Sequence, residues 1–297
     1  MRAARFYAPG DVRVEDVPRP EPGDGDVLVR VEVALTDGTD LKAFRRGHPV
    51  LLGEPPAPFG HEFCGFTEEG GRIVAANSDG DRADLQLLNG AYAEWLVVPE
   101  RIARVNLLPV PDRLAPEIAA MVEPLACCLH GVERAGMRPE DTVAVLGTGA
   151  IGLMLCACIA DAGARPVAVG RRSELAREFG AEPGDGRGAD VVIEAAGTEQ
   201  AWLDALDLVR PGGTVLFFGG LERGASVPVD AFRLHYEELT LLGAFHHTPA
   251  TVRAALVFLA SGGYPWERLI THRISLDELP ELLRNPPAGL LKAAVYP

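Results

Sequence analysis

Lysine is almost missing from this 297-residue chain: of its 28 basic residues, only Lys42 and Lys292 are not arginine. Where arginine is the default cation, a retained lysine points to a use for a compact ammonium. Cysteine is sparse too. Cys64, Cys127, Cys128, Cys156 and Cys158 form no Cys-x-x-Cys pair, which speaks against a zinc finger or disulfide framework and for free thiols packed as small hydrophobes. No apolar run reaches the roughly 18 residues a membrane span needs. The opening MRAARFYAPG has no apolar h-region, so no secretory leader is expected and a cytoplasmic setting is. Positive charge is in deficit, with a net charge of −14. That argues against nucleic acid or an anionic membrane as partner and fits a soluble enzyme acting on small molecules. There is no internal repeat and no low-complexity tract.

The length suggests two domains, and a hydrophobic content of 47% is ample for two cores. Residues 1–110 read as β-rich, with short alternating runs at 27–33 and 95–99 between Gly and Pro turns. From about 115 the texture changes. One helical run over 116–135 precedes an apolar strand at 142–146. Helices then alternate with further strands at 166–169, 191–195, 214–218 and 239–243. Buried strands alternating with helices imply an α/β fold with a doubly wound parallel sheet covered on both faces. After a helix at 249–260, strand-like segments at 270–274 and 292–296 look like a return to the first domain. Lys292 reads as the start of that last strand.

The stretch VAVLGTGAIG (143–152) is a strand entering Gly147-x-Gly149-x-x-Gly152 and then a helix. Glycines at this spacing allow a tight turn, close approach of backbone to a pyrophosphate, and close helix–strand packing, with the helix N-terminus facing the phosphates. Thr148, Ala150 and Ile151 complete the turn. The next strand ends in Gly170, Arg171, Arg172 and Ser173. A site for NAD usually places an acid there to hold the ribose 2′-hydroxyl; two guanidiniums and a hydroxyl suit the 2′-phosphate of NADP instead. Ala196 and Gly197, after the following strand, and Gly219, after the next, are further candidate nucleotide contacts.

Three short stretches complete the picture. LTDGTDLKAF (35–44) follows the strand at 27–33 with a polar turn; PFGHEFCG (58–65) sets His61 beside Glu62; VEPLACCLHG (122–131) sets Glu123 before a helix. Each alone is unremarkable. In this order, ahead of the glycine-rich turn, they resemble the zinc-dependent medium-chain dehydrogenase/reductase family, in its sorbitol, threonine and glucose dehydrogenase branches. The resemblance runs through NGAYAEWLVVP (89–99) and RPGGTVLFFG (210–219) and covers essentially the whole chain. It implies a GroES-like β-rich catalytic domain over 1–114 and 268–297, a Rossmann domain over 115–267, an active site in the cleft between them, and a homodimer or homotetramer.

Carried over residue by residue, the resemblance makes Asp37, His61 and Glu123 candidate metal ligands. Glu62 becomes a neighbour able to exchange with water on the metal, Thr39 the hydroxyl that hands the substrate proton away, and Asp40 the partner that orients His61. Asp37 stands where the family has a cysteine. Thiolate and carboxylate carry the same charge, and zinc accepts an Asp oxygen at about 2.0–2.2 Å. Without a cation, Asp37, Glu62 and Glu123 would be three carboxylates meeting at one place, which is costly. An all-N/O site is also harder than usual, so Mn²⁺ or Co²⁺ can substitute more readily. The four cysteines of a structural zinc have no counterpart in the short, Cys-free segment 71–88, so one catalytic ion and no structural zinc is expected. Few residues separate Arg172 from the strand at 191–195, so an element of the nucleotide fold is expected to be trimmed.

Lys42 stands where relatives with a surface proton relay often carry histidine; it reads either as a group that relays a proton or bonds hydroxyls, or as a solvated surface lysine. His48, His130, His246, His247 and His272 match no motif. The activity implied is reversible, NADP- and metal-dependent oxidation of a secondary alcohol, with polar residues near the metal favouring a polyol, sugar or amino-alcohol substrate. Two alternatives share the fold: a metal-free NADPH reductase of activated double bonds, and a non-catalytic NADP(H)-binding relative.

Overall fold

The computed structural model describes residues 1–48 and 50–297. Contacts divide the chain into two compact units, Met1–Pro124 with Thr248–Pro297, and Leu125–His247. In chain order the first unit begins with strands β1 (Arg2–Ala8), β2 (Asp11–Asp16) and β3 (Val27–Leu35), helix α1 (Gly38–Arg46), strands β4 (Ala57–Pro58), β5 (Glu62–Thr67), β6 (Arg72–Ala75) and β7 (Trp95–Val98), helix α2 (Glu100–Asn106), strand β8 (Leu107–Pro109) and helix α3 (Pro116–Ala119). Helix α4 (Val122–Ala135) leads into the second unit. There β9 (Thr142–Leu146), α5 (Ala150–Asp161), β10 (Arg165–Val169), α6 (Ser173–Ala176), β11 (Glu182–Pro183), β12 (Ala189–Glu194), α7 (Glu199–Leu208), β13 (Val209–Phe217), α8 (Ala231–Tyr236) and β14 (Thr240–Gly243) follow. The chain ends in the first unit with α9 (Pro249–Ser261), β15 (Ile270–Ser275), α10 (Leu279–Arg284) and β16 (Lys292–Tyr296). Among the described residues, no helix is long and apolar enough to cross a membrane.

The first unit is the GroES-like domain. Its main sheet runs β15-β16-β3-β5-β6-β8, with β7 also paired to β3; β2-β1-β4 form a second, small sheet. The register around β3 positions the candidate site. Leu35, the last residue of β3, pairs with Glu62 on one side and Ala294 on the other. The first residues of β5 and β16 therefore lie beside the end of β3, where Asp37 follows. A core of Val29, Phe59, Phe63, Tyr92, Leu279, Leu283 and Val295 lies behind this point.

The second unit is a Rossmann domain: all six strands are parallel in the order β11-β10-β9-β12-β13-β14. The order reverses at β9, between β10 and β12, the switch point at which such sheets take ligands. The expected trimming is visible. β11 has two residues, and the chain passes from it to β12 without a helix.

Two sequence expectations are corrected. The helix over 116–135 is two helices, α3 and α4, separated at Ala120–Met121. Pro124 explains the break: inside a continuous helix its ring would clash with the carbonyl of Ala120, four residues back, whereas in the first turn of α4 it is tolerated. The polar turn after β3 is the start of a helix, α1, rather than a free-standing turn.

Candidate metal centre and nucleotide site

Asp37 is the N-cap of α1. Its Oδ1 accepts from the Asp40 N–H at 2.8 Å, and Asp40 Oδ2 accepts in return from the Asp37 N–H at 3.0 Å, a reciprocal capping box. One carboxylate oxygen of Asp37 is thus committed to the helix. The other, Oδ2, lies 3.9 Å from His61 Nε2. Two ligand atoms on tetrahedral zinc are separated by roughly 3.3 Å, so a small adjustment suffices for both to share an ion. His61 Nδ1 points the other way, to Asp40 Oδ1 at 3.6 Å. Neither atom has a hydrogen-bond partner. Asp37, His61 and Glu62 offer ligand atoms all within 4.8 Å of one another. Glu123, buried at the start of α4, is close enough for its charge to act on His61 and Glu62.

The electrostatics match a cation site. Burial alone would raise the Asp37 carboxyl, but His61, Lys292, the Asp40 N–H and a hydrogen bond from Thr39 together hold it below its ordinary value. Burial would lower His61, yet Asp40, Asp37 and Glu123 raise it well above the usual imidazole range. A positive charge at this point is what the surrounding carboxylates favour. Burial and the charge of Asp37 raise Asp40.

The sequence reading missed Lys292. It is fully buried, and its Nζ donates to both oxygens of Glu62, at 2.7 and 2.6 Å, and to Thr36 O at 3.3 Å. Three carboxylates do not, therefore, meet without a cation: Glu62 already has one. Burial pushes the Glu62 carboxyl up to about 8 even though Lys292 pulls it down. Burial opposes the Lys292 charge, but Glu62 and Asp37 raise the ammonium above its ordinary value. The signal was available in the rarity of lysine.

In the Rossmann unit, Gly147 and Gly152 have a steric reason, whereas a Cβ on Gly149 would meet open space. Gly147 has φ 111°, Gly149 caps α5, and a Cβ on Gly152 would lie 1.8 Å from Gly147 O. Thr148 Oγ1 accepts from the Arg172 N–H at 2.9 Å, pinning the loop after β10 to the glycine-rich turn. Gly170 and Thr148 pack so closely that a Cβ on Gly170 would meet Thr148 Oγ1 at 2.6 Å. Arg171 is exposed and Arg172 half-buried; Ser173 opens α6. Buried Glu194 at the end of β12 folds the next loop over itself, its Oε1 accepting from the Ala196 and Gly197 N–H groups at 2.7 and 2.6 Å. Gly219 sits against Gly197, where a Cβ would be 2.4 Å from the Gly197 nitrogen. Ala150 and Ile151 are the first two residues of α5.

Comparison with known proteins agrees with this organisation. The model of the alcohol dehydrogenase GroES-like domain matches residues 23–112, and that of zinc-binding dehydrogenases matches residues 183–261. A Sinorhizobium meliloti protein, described as a zinc-binding dehydrogenase and solved with NADP, is 33% identical, with 100% of this chain and 99% of that chain covered and a TM-score of 0.89. The chain belongs to the zinc-type medium-chain dehydrogenase family. Within this family it is also similar to an alcohol dehydrogenase of Cupriavidus necator (28% identical, covering 100% of this chain and 99% of that protein). The structure of 2R,3R-butanediol dehydrogenase from Bacillus subtilis is 25% identical, with 100% and 99% covered and a TM-score of 0.86. Family membership makes the chain an oxidoreductase with a nucleotide cofactor and zinc among its expected components.

Proposed function

We propose that this protein is an NADP-dependent, divalent-cation-dependent dehydrogenase of secondary alcohols, with a polyol, sugar or amino-alcohol as substrate. The observation that carries the reading is the convergence of Asp37 Oδ2 and His61 Nε2, with Glu123 near enough for its charge to act on His61 and with Thr39 bonded to Asp37. Asp37, His61 and Glu123 would hold the ion. Glu62, locked by Lys292, stands next to it as the group that could exchange with water. Bound here, a divalent cation supplies Lewis-acid polarisation of the substrate oxygen, and the nicotinamide supplies the hydride acceptor. The chain's own work is then to orient and to move a proton. Asp40 steadies His61 at Nδ1. Thr39 would hand the substrate's hydroxyl proton onward, its Oγ1 accepting that proton as its own hydroxyl proton passes to the next acceptor towards solvent. A metal-free reductase needs neither His61 nor Glu123 in these places. The butanediol dehydrogenase likeness supports a hydroxyl-rich substrate. Metal analysis of protein purified without added metal, with an NADP⁺-reduction screen over polyols, sugars and amino-alcohols, tests the reading. A fully active metal-free protein, or metal-loaded protein inert towards every such alcohol, overturns it.

NADP is preferred because Arg171 and Arg172 occupy the end of β10 where an acid would hold a 2′-hydroxyl; the NADP bound by the Sinorhizobium relative agrees. Charge-assisted bonds to phosphate contribute about 1.5–3 kcal/mol each, less where solvent screens them as at exposed Arg171. Replacing both arginines by Ala is expected to weaken NADP binding about 10- to 100-fold while NAD binding changes little. Equal affinity of the wild type for NAD and NADP would remove this part of the proposal.

Lys42, in the second turn of α1 and half-exposed, is proposed to assist turnover by bonding substrate or cofactor hydroxyls or relaying the proton. Lys42→Met keeps the length and removes the charge; a several-fold fall in kcat with an altered pH–rate profile is expected. Unchanged kinetics would make Lys42 a solvated surface residue.

A further inference from the structure

The geometry points to Tyr92 as a positioning residue for the metal centre, acting through Asp40 on His61; the inference rests on the ligand role proposed for His61. Tyr92 is fully buried, and its hydroxyl donates to Asp40 Oδ2 at 2.5 Å, with Leu35 O a longer second acceptor at 2.9 Å. A phenol has one proton, and the shorter contact assigns it to Asp40. Asp40 Oδ2 thus collects two donors, the Tyr92 hydroxyl and the Asp37 N–H. That turns the carboxyl so that Oδ1 is left facing His61 Nδ1. At 3.6 Å the contact is longer than a hydrogen bond; a small movement that closes it would hold the ring nitrogen on a carboxylate, fix the tautomer and orientation of the imidazole, and leave Nε2 as the ligand atom.

The placement of Tyr92 is built from the same turn that carries His61. The Gly90 and Ala91 N–H groups donate to Gly60 O at 2.8 and 3.1 Å, and the Tyr92 N–H to Phe59 O at 3.1 Å. From the other side, the Ala4 N–H donates to Tyr92 O at 2.8 Å. Gly60, at φ 87°, leaves room for the ring: a Cβ there would lie 2.5 Å from it. The ring and the residue before His61 are therefore packed as one unit, and the hydroxyl is delivered to Asp40 with little freedom to miss. Removing it leaves the buried Asp40 carboxylate short of a donor and free to turn away from His61.

Tyr92→Phe keeps the ring and its packing and deletes only the hydroxyl. Zinc dissociation constants, from competition with a chromogenic chelator, and the absorption spectrum of the Co²⁺-loaded protein are compared in wild type, Tyr92→Phe, Asp40→Asn and the double variant. Tyr92→Phe is expected to weaken zinc about tenfold, the lower end of what loss of a ligand-orienting partner costs, and to shift the Co²⁺ spectrum. In the Asp40→Asn background the same change should add less than about twofold, because Tyr92 works through Asp40. A residue that merely fills space would lower thermal stability and leave affinity and spectrum unmoved. Wild-type affinity in Tyr92→Phe, or an equal loss in both backgrounds, overturns the inference while leaving the ligand set standing. A wild type that binds neither ion overturns both.

Discussion

Asp37→Ala is expected to lose the divalent cation and the activity together. Two remaining protein ligands, His61 and Glu123, rarely hold a catalytic ion, which takes three protein ligands in the usual site. The more informative variants separate the two jobs of this carboxylate, since Oδ1 caps α1 while Oδ2 faces His61. Asp37→Cys restores the charge and the ligand type found elsewhere in the family but cannot cap as an oxygen does. It should keep the ion, shift preference toward softer metals, and lose about 0.5–2 kcal/mol of stability with the cap. Asp37→Asn should do the opposite, keeping the cap while losing the charge and most of the metal affinity. Metal content by mass spectrometry and melting curves on all three variants measure both effects. Retention of metal and activity by Asp37→Ala would exclude Asp37 from the site.

This division of labour was half legible in the sequence. Two acids three residues apart before an apolar-spaced run are a capping-box signature, and the pair Asp37 and Asp40 satisfies it. The flanking Gly38 and Thr39, poor helix formers, made the stretch read as a turn instead. The Rossmann half was the most legible part, because its signals are local: an apolar strand, glycines whose absent Cβ atoms make the turn possible, and a helix, all within 143–161. The contacts that set the chemistry of the first unit are not local. Glu62 and Lys292 are 230 residues apart, and Tyr92 and Asp40 are 52 apart. Only the sheet order, which lays β5 and β16 on either side of β3, brings the first pair together. No periodicity within either strand announces it. Lysine usage did mark two positions, but it could not say which one is buried.

The buried pair gives the last large effect. Lys292→Met removes the ammonium from a site where both side chains are wholly excluded from water, and leaves Glu62, whose carboxyl burial already raises to about 8, either charged without a partner or protonated at the cost of its two hydrogen bonds. Breaking a buried ion pair from one side costs about 3–5 kcal/mol, whereas replacing both members by apolar groups of similar volume is often neutral or better. The metal-free Lys292→Met variant is therefore expected to melt roughly 10 °C below the wild type, at about 2–4 °C per kcal/mol. Adding Glu62→Gln to it should recover most of the loss, since the amide carries no charge to strand. Divalent cation should stabilise Lys292→Met more than it stabilises the wild type, because a Glu62 freed from the ammonium can turn to the ion beside it, as exchange with water on the metal requires. Thermal denaturation of the four proteins of this cycle, with and without Zn²⁺, separates these effects. A single Lys292→Met variant as stable as the wild type would mean that Glu62 is held neutral in the folded protein, and that the charge balance at the site rests on Asp37 and Glu123 alone.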